Sequence, residues 1–213
     1  MGDHTLILAS ASPRRRELLA RIGVAPDAVL PADIDETPHP AELPRAYAVR
    51  MAREKALAAA WLGDAMPMDC VRMAREKALA AASDTAHVLA GDTVVAVGRR
   101  ILPKAEDEAT AHRCLHLLSG RRHRVLSAIA LLSPDGTLRE RISETIVVFK
   151  RLTDAEVTAY IASGDWQGKA GGYAIQGSAE GLIRRIDGSH SGVVGLPLYE
   201  TRALLRAAGF PLG

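Results

Sequence analysis

Short apolar runs alternate with amphipathic segments along most of the chain, and this alternation predicts strands interleaved with helices. The runs predicted as strands are residues 5–9, 88–97 with a hairpin return at 101–102, 125–132, 139–149 and 182–186. The segments with helical periodicity are residues 13–22, 106–118, 153–163 and 197–209. Strands that alternate with helices indicate the α/β class, with a mixed sheet flanked by helices.

Capping residues predict where two of these helices begin. Ser12 is a suitable N-cap, and Pro13 fits the first helical position because its missing N–H is not needed there. Thr153 is the corresponding N-cap further along, with Glu156 in the first turn, where the helix dipole favours an acidic side chain. The Pro-rich, acidic residues 31–44 predict a loop.

One segment of helix-forming residues occurs twice. Residues 49–60, VRMAREKALAAA, are repeated without change at 71–82, with a period of 22 residues. Gly63 and Pro67 between the copies predict two helices instead of one long helix. Because a solenoid needs about three repeats or more, we interpret residues 49–82 as a local tandem duplication with one spare helix. The spare helix offers a packing surface that a homodimer could use.

Composition bounds the class of protein. The 213 residues correspond to one large domain or two closely joined lobes, at about 150 residues per domain. A net charge of +2 is too balanced for a polybasic nucleic-acid binder, so no nucleic-acid partner is expected. Cys70 and Cys114 match no metal-ligand spacing and favour a reduced, cytoplasmic compartment. No run approaches 18 apolar residues and no secretory signal is apparent, so no membrane association is expected.

Three arginines, Arg14 to Arg16, open the first predicted helix directly after the small polar residues Ser10 to Ser12. The positive end of the helix dipole disfavours cations at this place. An anion such as phosphate, bound among the arginines and the free backbone N–H groups, would compensate for that cost. From spacing alone, a solvated basic helix start remains the alternative.

A single carboxylate, Asp92, interrupts the apolar strand predicted at 88–97. An ionised group in such a run is costly unless it meets a metal, a cation or hydrogen-bond donors. Asp92 is therefore a candidate general base or metal ligand, and the alternative is an edge-strand aspartate facing water beside Gly91. Thr93 points to the opposite strand face unless a bulge intervenes, so local sequence supports it less.

Residues 164–177 contain five glycines, which would let the backbone approach a ligand closely. Lys169 could supply charge for a phosphate, and Gln176 could read the edge of a base because its amide both donates and accepts hydrogen bonds. The alternative is a flexible surface loop. No P-loop and no GxGxxG fingerprint occurs, so ATPase and dinucleotide sites are not supported.

Further charged residues are weaker candidates. The Asp35-Glu36 pair could hold a hard divalent cation, or it could be a solvated loop pair. Lys55 and Lys77, which are equivalent positions in the two repeat copies, and Lys104 could neutralise phosphate charge. For each of these lysines a solvated surface charge is the commoner alternative.

Together these segments resemble the Maf family of nucleoside triphosphate pyrophosphatases. The matching segments follow the family order and cover nearly the whole chain: residues 8–15 (LASASPRR), 35–37 (DET), 53–56 (REKA), 90–95 (AGDTVV), 119–125 (SGRRHRV), 168–177 (GKAGGYAIQG) and 194–197 (VGLP). Any one of them is a weak signal, whereas the set is specific.

The resemblance implies one Maf-like domain over residues 1–213, with an inosine-triphosphatase-like α/β fold and a cleft between two lobes. It also implies hydrolysis between the α- and β-phosphates of a nucleoside triphosphate, with Mg²⁺ or Mn²⁺ held by Asp92 and Glu36. Asp92 matches the proposed proton acceptor. The implied substrate-binding residues are Ser10, Arg14, Arg15, Lys55 or Lys77, Thr93, Lys104, Lys169 and Gln176.

The form Tyr-Ala-Ile-Gln-Gly at 173–177 resembles the family branch that acts on dTTP and UTP. Arg14, Thr93 and Gln176 match positions associated with substrate choice. Two alternatives stay open: a nucleotide-sensing regulator linked to cell division, and a pyrophosphatase for 7-methyl-GTP or other modified nucleotides.

The sequence departs from the family pattern at two places. The family has one lysine-bearing helix before its Asp-Thr strand, and here there are two copies. Deleting residues 61–82 would leave a single copy with its lysine 15 positions before Asp92. The second departure is Ala105, where the family commonly has proline, which suggests a looser loop around Lys104.

Overall fold

The computed structural model describes residues 4–61 and 86–212. Its strands are β1 (Thr5–Ala9), β2 (Ala28–Val29), β3 (Ala86–Val97), β4 (Arg100–Leu102), β5 (Lys104–Ala105), β6 (Arg122–Leu132), β7 (Leu138–Phe149), β8 (Lys169–Ala170) and β9 (Ile183–Asp187). Its helices are α1 (Pro13–Arg21), α2 (Pro44–Trp61), α3 (Glu108–Leu118), α4 (Asp154–Ser163), α5 (His190–Val194) and α6 (Leu198–Ala207), with a 3₁₀ turn at Ser178–Leu182.

Within the described residues, seven strands form one sheet in the order β2-β1-β3-β6-β7-β9, with β4 paired to β3. β1 runs parallel to β2 and β3, and the other pairs are antiparallel. The predicted mixed sheet flanked by helices is therefore confirmed. β5 and β8 form a second, two-stranded sheet beside it.

Alternate residues of the central strands build two cores on the two faces of the main sheet. Leu89 and Ile129 belong to the larger core, which also contains buried residues of α3, α4 and α6. Ala90 and Ala128 belong to the smaller core against α2. Because these alanines are small, the alanine-rich face of α2 can pack closely on this side of the sheet.

Most of the predicted elements are confirmed with small differences at their ends, and the sequence pattern missed the two-residue strands β2, β5 and β8. Thr153 caps α4 in a capping box with Glu156, whereas Ser12 occupies the N-cap position of α1 without a side-chain cap bond. The helix predicted at 197–209 is found at Leu198–Ala207, preceded by the short α5, which the sequence pattern missed. Asp107 caps α3, which begins two residues later than predicted.

The first copy of the repeat forms the C-terminal part of α2. The second copy at 71–82, together with Cys70, Lys77 and the predicted break between the copies, lies outside the described residues. Among the helices of residues 4–61 and 86–212, none combines the length and hydropathy that a membrane span requires.

One edge of β3 carries the opening in which the candidate site lies. This edge pairs with β1 as far as Ala90 and with β4 from Val95 onward. Within the described residues, 91–94 have no strand partner on that edge. The gap leaves an open edge of β3 beside these four residues, directly after β1 ends.

Candidate active site

A cleft of about 880 Å³ lies along the unpaired edge of β3. The end of β1, the first turn of α1 and the segment 164–177 form much of its wall. Ten sequence-predicted site residues line it: Ser10, Arg14, Arg15, Glu36, Lys55, Asp92, Thr93, Lys104, Lys169 and Gln176. The structure thus brings these ten residues together. Asp35, the other half of the candidate acidic pair, does not line the cleft and instead accepts a hydrogen bond from the backbone N–H of Thr37. Lys77 lies outside the described residues.

Lys55 joins the two candidate carboxylates of the cleft. Its Nζ atom lies 2.7 Å from Asp92 Oδ1 and 2.8 Å from Glu36 Oε1. Lys55 and Asp92 are both buried, with 8% and 7% of their surface exposed. Each charge therefore has a partner that offsets its desolvation. The first repeat copy thus places its lysine in the cleft.

Glu36 also accepts a hydrogen bond from a second lysine. Lys104 Nζ lies 2.7 Å from Glu36 Oε2, so the carboxylate is held between two ammonium groups. Partial burial opposes ionisation of Glu36, but the hydrogen bonds from Lys104 and Lys55 lower its pKa to about 2. Glu36 is therefore a carboxylate at every pH at which such a protein would work.

Sequence reasoning missed Tyr47, which lies beneath this cluster. Its buried phenol donates a 2.8 Å hydrogen bond to the backbone carbonyl of Glu36. Burial and the nearby carboxylates of Asp92 and Glu36 raise the pKa of Tyr47 to about 12, so the phenol keeps its proton. The available signal was its spacing of eight residues, about two helical turns, from Lys55 on the same face of α2.

Arg50 on α2 bonds to the loop between β2 and α2, which carries Glu36. Its guanidinium makes two 2.8 Å contacts with the carboxylate of Glu42 and donates to the carbonyl of Thr37 at 3.1 Å. The loop that carries Glu36 is thus held by Tyr47 on one side and by Arg50 on the other. Although the loop lacks regular secondary structure, the position of Glu36 is well defined.

Arg15 links three segments of the cleft wall. Its Nε atom donates to the carbonyl of Gly195 and its Nη1 atom to Ser10 Oγ, both at 2.8 Å. Burial lowers the pKa of Arg15, and the Asp92 carboxylate opposes that change. Because a guanidinium has five N–H donors, Arg15 retains donors for an anion in the cleft.

Arg14 and Lys169 are cations that interact electrostatically with nearby carboxylates, Glu17 and Asp165, but form no salt bridge within the described residues. Lys169 donates to the carbonyl of Gln167 at 2.8 Å. Burial lowers the pKa of Lys169, and the charge of Arg14 lowers it further. Two cations that repel each other in a cleft are stabilised when an anion binds between them.

Thr93 lines the cleft although it lies on the opposite strand face from Asp92. The pairing of β3 with β6 is continuous through both residues, so the bulge that sequence reasoning required is absent from this part of β3. Both side chains reach one cleft because the edge of β3 is open there. Thr93 Oγ1 is 3.4 Å from the carbonyl of Gly195 and 3.2 Å from Ser127 Oγ.

The glycine-rich segment is anchored and is not the loose surface loop that sequence reasoning left open. Gly168 N and Gly171 N donate to the carbonyls of Ala105 and Pro103, at 2.8 and 2.9 Å. Gly171 has φ +69°, and a Cβ there would lie 2.8 Å from Val95 Cγ1, so glycine is required. Ala105 is fully buried within β5, so the expectation of a looser loop around Lys104 is wrong.

The charged side chains of the cleft suit a polyanion together with a divalent cation. Among the described residues that line it, five are cationic and three acidic. Glu36 and Asp92 converge on one ammonium group, so their oxygens could also converge on a hard cation. Within residues 4–61 and 86–212, no group of three or more His, Cys, Asp or Glu side chains could hold a metal. Other ligands would therefore have to come from substrate and water.

Comparison with known proteins identifies a matching family and similar proteins. Residues 5–208 match the family described as Maf-like protein. A dTTP/UTP pyrophosphatase of Novosphingobium aromaticivorans is 64% identical over 204 residues, which cover 96% of this chain and 92% of that protein. A dTTP/UTP pyrophosphatase of Rhodospirillum rubrum is 56% identical over 98% of this chain and 90% of that protein. A dITP/XTP pyrophosphatase structure from Mycobacterium abscessus aligns with 96% of this chain and 94% of its own at 16% identity, with a TM-score of 0.44.

Proposed function

Because this chain belongs to the Maf-like family, we propose that it hydrolyses nucleoside triphosphates, with dTTP and UTP favoured, to a nucleoside monophosphate and pyrophosphate. The observation that carries this proposal is the contact of Lys55 with Asp92 and Glu36 in a cleft whose charged side chains are mostly cationic. Such a cleft provides positive charge for a triphosphate and carboxylates for a metal and a proton.

The phosphates bind to the cleft cations that form no salt bridge within the described residues. Arg14 and Lys169 take the triphosphate oxygens, and the N–H donors that Arg15 retains contribute to the same surface. Binding of the polyanion relieves the repulsion between Arg14 and Lys169. Ser10, held by Arg15, keeps the β1–α1 turn in the shape that presents the first turn of α1 to the phosphates.

Glu36 and Asp92 are the residues that would hold Mg²⁺ or Mn²⁺. Carboxylate oxygens are ligands that both cations prefer, and phosphate oxygens and water would complete the coordination. When bound, the cation supplies Lewis-acid stabilisation of charge on the phosphate oxygens. Lys55 and Lys104 limit the repulsion between the two carboxylates.

Asp92 is the proton acceptor of the reaction. A water molecule oriented by its carboxylate attacks the α-phosphorus, and the proton of that water passes to Asp92. The new P–O bond forms as the bond between the α-phosphorus and the bridging oxygen breaks, and pyrophosphate leaves. Lys55 fixes the orientation of Asp92 through their 2.7 Å contact.

Gln176 is the residue that reads the base. It is exposed on the cleft wall, and its amide can donate to and accept from the edge of thymine or uracil. Thr93 and Arg14 lie in the same cleft and contribute to substrate choice. The composition of the chain supports a cytoplasmic site of action, where free nucleotides are available.

The decisive experiment measures pyrophosphate release from dTTP, UTP, CTP, 7-methyl-GTP and ITP, with Mg²⁺ or Mn²⁺, for the wild type and Asp92→Asn. We expect fast release from dTTP and UTP, and a loss of roughly 10²–10⁴-fold in turnover for the folded variant. Bound nucleotide without any product in the wild type would refute hydrolysis. An unchanged rate in Asp92→Asn would remove Asp92 from the proposed role.

A further inference from the structure

A buried hydrogen bond lies behind the glycine-rich wall of the cleft. His123 on β6 and Tyr173 are 2% and 6% exposed, and His123 Nε2 lies 2.7 Å from Tyr173 Oη. Within the described residues, His123 Nδ1 has no hydrogen-bond partner. The imidazole therefore makes its one side-chain hydrogen bond to a residue of the glycine-rich segment. The catalytic proposal uses neither side chain.

Aromatic packing fixes the orientation of this pair. The ring of Tyr173 stands nearly perpendicular to those of His123 and Phe149, at centroid distances of 5.4 and 5.1 Å. Edge-to-face contacts of this kind are favourable and directional. Burial lowers the pKa of His123 to about 4 and raises the pKa of Tyr173, so both groups are neutral at neutral pH. The phenol of Tyr173 thus has a defined place in the core.

A second buried tyrosine holds the next residue of the segment. Tyr160 on α4 is 4% exposed, and its hydroxyl accepts a 3.0 Å hydrogen bond from the backbone N–H of Ala174. Ala174 itself is buried, so without this acceptor its N–H would be costly to leave unpaired. Tyr173 and Ala174 are therefore attached to two different elements, β6 and α4.

Tyr173 and Ala174, which these two hydrogen bonds hold, lie three and two residues before Gln176 along the chain. The intervening Ile175 is 1% exposed, whereas the side chain of Gln176 is exposed at the cleft and has no hydrogen-bond partner within the described residues. The backbone before Gln176 therefore determines where its amide lies. A small shift of Tyr173 or Ala174 would move the amide relative to a bound base.

We propose that His123, Tyr173 and Tyr160 are positioning residues that place Gln176 against the base and thereby determine base preference. The inference rests on the proposed function, in which Gln176 contacts the base. The three residues act through the backbone of the segment 173–176. Tyr173 also lines the cleft, but its hydroxyl is hydrogen-bonded to His123. The hydroxyls of Tyr160 and Tyr173 are the atoms whose removal tests this role.

The test compares Tyr160→Phe and Tyr173→Phe with the wild type, since each change removes one hydroxyl and keeps the ring. We expect KM for dTTP and UTP to rise about three- to tenfold, and the preference for UTP over CTP to fall by a similar factor. We also expect kcat to stay within about twofold, because Asp92 and Lys55 are unaffected. Tyr199→Phe, at a side chain that is 83% exposed, is the silent control.

Equilibrium binding of UTP and CTP to the same variants, by calorimetry without divalent metal, separates this proposal from the proposed hydrolysis. A preference for UTP that is lost in the variants supports positioning, even if the wild type releases no pyrophosphate. Lower melting temperatures with unchanged KM and unchanged preference would overturn the proposal and leave hydrolysis intact. A Gln176→Ala variant that keeps the wild-type preference would overturn it as well.

Discussion

Lys55 on α2 meets Asp92 on β3 at 2.7 Å, and both side chains are more than nine-tenths buried. The same lysine is also 2.8 Å from Glu36, so one ammonium group joins two carboxylates from different segments. Removing one member of a buried pair leaves an uncompensated charge. Lys55 is therefore central both to the shape of the carboxylate pair and to the charge of the cleft.

The repeated twelve-residue segment supplies a matched pair of variants, Lys55→Met and Lys77→Met, whose surroundings are identical in sequence. We expect Lys55→Met to lower turnover roughly 10²-fold and to lower the melting temperature, because Asp92 and Glu36 lose their shared cation. Lys77→Met should retain wild-type turnover, since Lys55 occupies the place between the carboxylates. Pyrophosphate release and thermal unfolding are measured for both variants. Unchanged turnover in Lys55→Met would contradict the assignment of Lys55 as the lysine of the site.

Deletion of residues 61–82 should leave the activity within about twofold of the wild type, because the chain before β3 becomes shorter without loss of the lysine. Ala60 would then join Ser83, and the retained copy would still contribute Lys55. Steady-state kinetics with dTTP measures the outcome. A folded but inactive deletion variant would show that the second copy has a role of its own.

Gln176→Glu should weaken dTTP and UTP selectively. A carboxylate only accepts hydrogen bonds, whereas the amide both donates and accepts, so we expect kcat/KM for these two nucleotides to fall about tenfold or more. Gln167→Glu, at an exposed residue of the same cleft, introduces the same charge and serves as the control. An equal loss for all nucleotides in Gln176→Glu would contradict base reading.

Tyr47→Phe should lower kcat/KM about three- to tenfold for all triphosphates alike, because the lost hydroxyl supports the backbone of Glu36 and not the base pocket. A substrate panel on this variant provides the measurement. A change in base preference without loss of overall rate would contradict this role. Tyr160→Phe provides the contrast, because that variant should change the preference between bases, whereas Tyr47→Phe should leave the preference unchanged.

His123 should make the stability of the protein depend on pH. Its pKa is about 4 in the folded state and about 6.5 when exposed, so between these values only the unfolded state binds the proton. Stability therefore falls as the pH drops from 6.5 to 4, by about 3 kcal/mol from this residue. The phenol of Tyr173, which contacts His123, keeps its proton in this range because burial raises its pKa.

Urea unfolding of the wild type and His123→Gln at pH 7, 5.5 and 4.5 measures this dependence. The variant is expected to be less stable at pH 7 and to lose less stability on acidification. Equal slopes for the two proteins would show that other groups cause the pH dependence.

The sequence by itself determined the local elements and the residue types of the site. Apolar periodicity predicted the long strands, Thr153 and Glu156 predicted the start of α4, and the single carboxylate in an apolar run identified Asp92. These features can be predicted from the sequence because each depends on neighbours a few residues away.

Only the tertiary structure decided how distant segments meet. Thr93 shares the cleft with Asp92 because β1 ends and β4 begins on either side of an open stretch of β3, which no local pattern encodes. The choice of Lys55 depends on the packing of α2 against small residues of β3 and β6. Tyr47 and Tyr160 likewise stabilise backbone atoms far from themselves in sequence. Such contacts follow from the order in which the strands pair and from how the helices pack on the sheet. Residue spacing along the chain specifies neither the pairing order nor the packing.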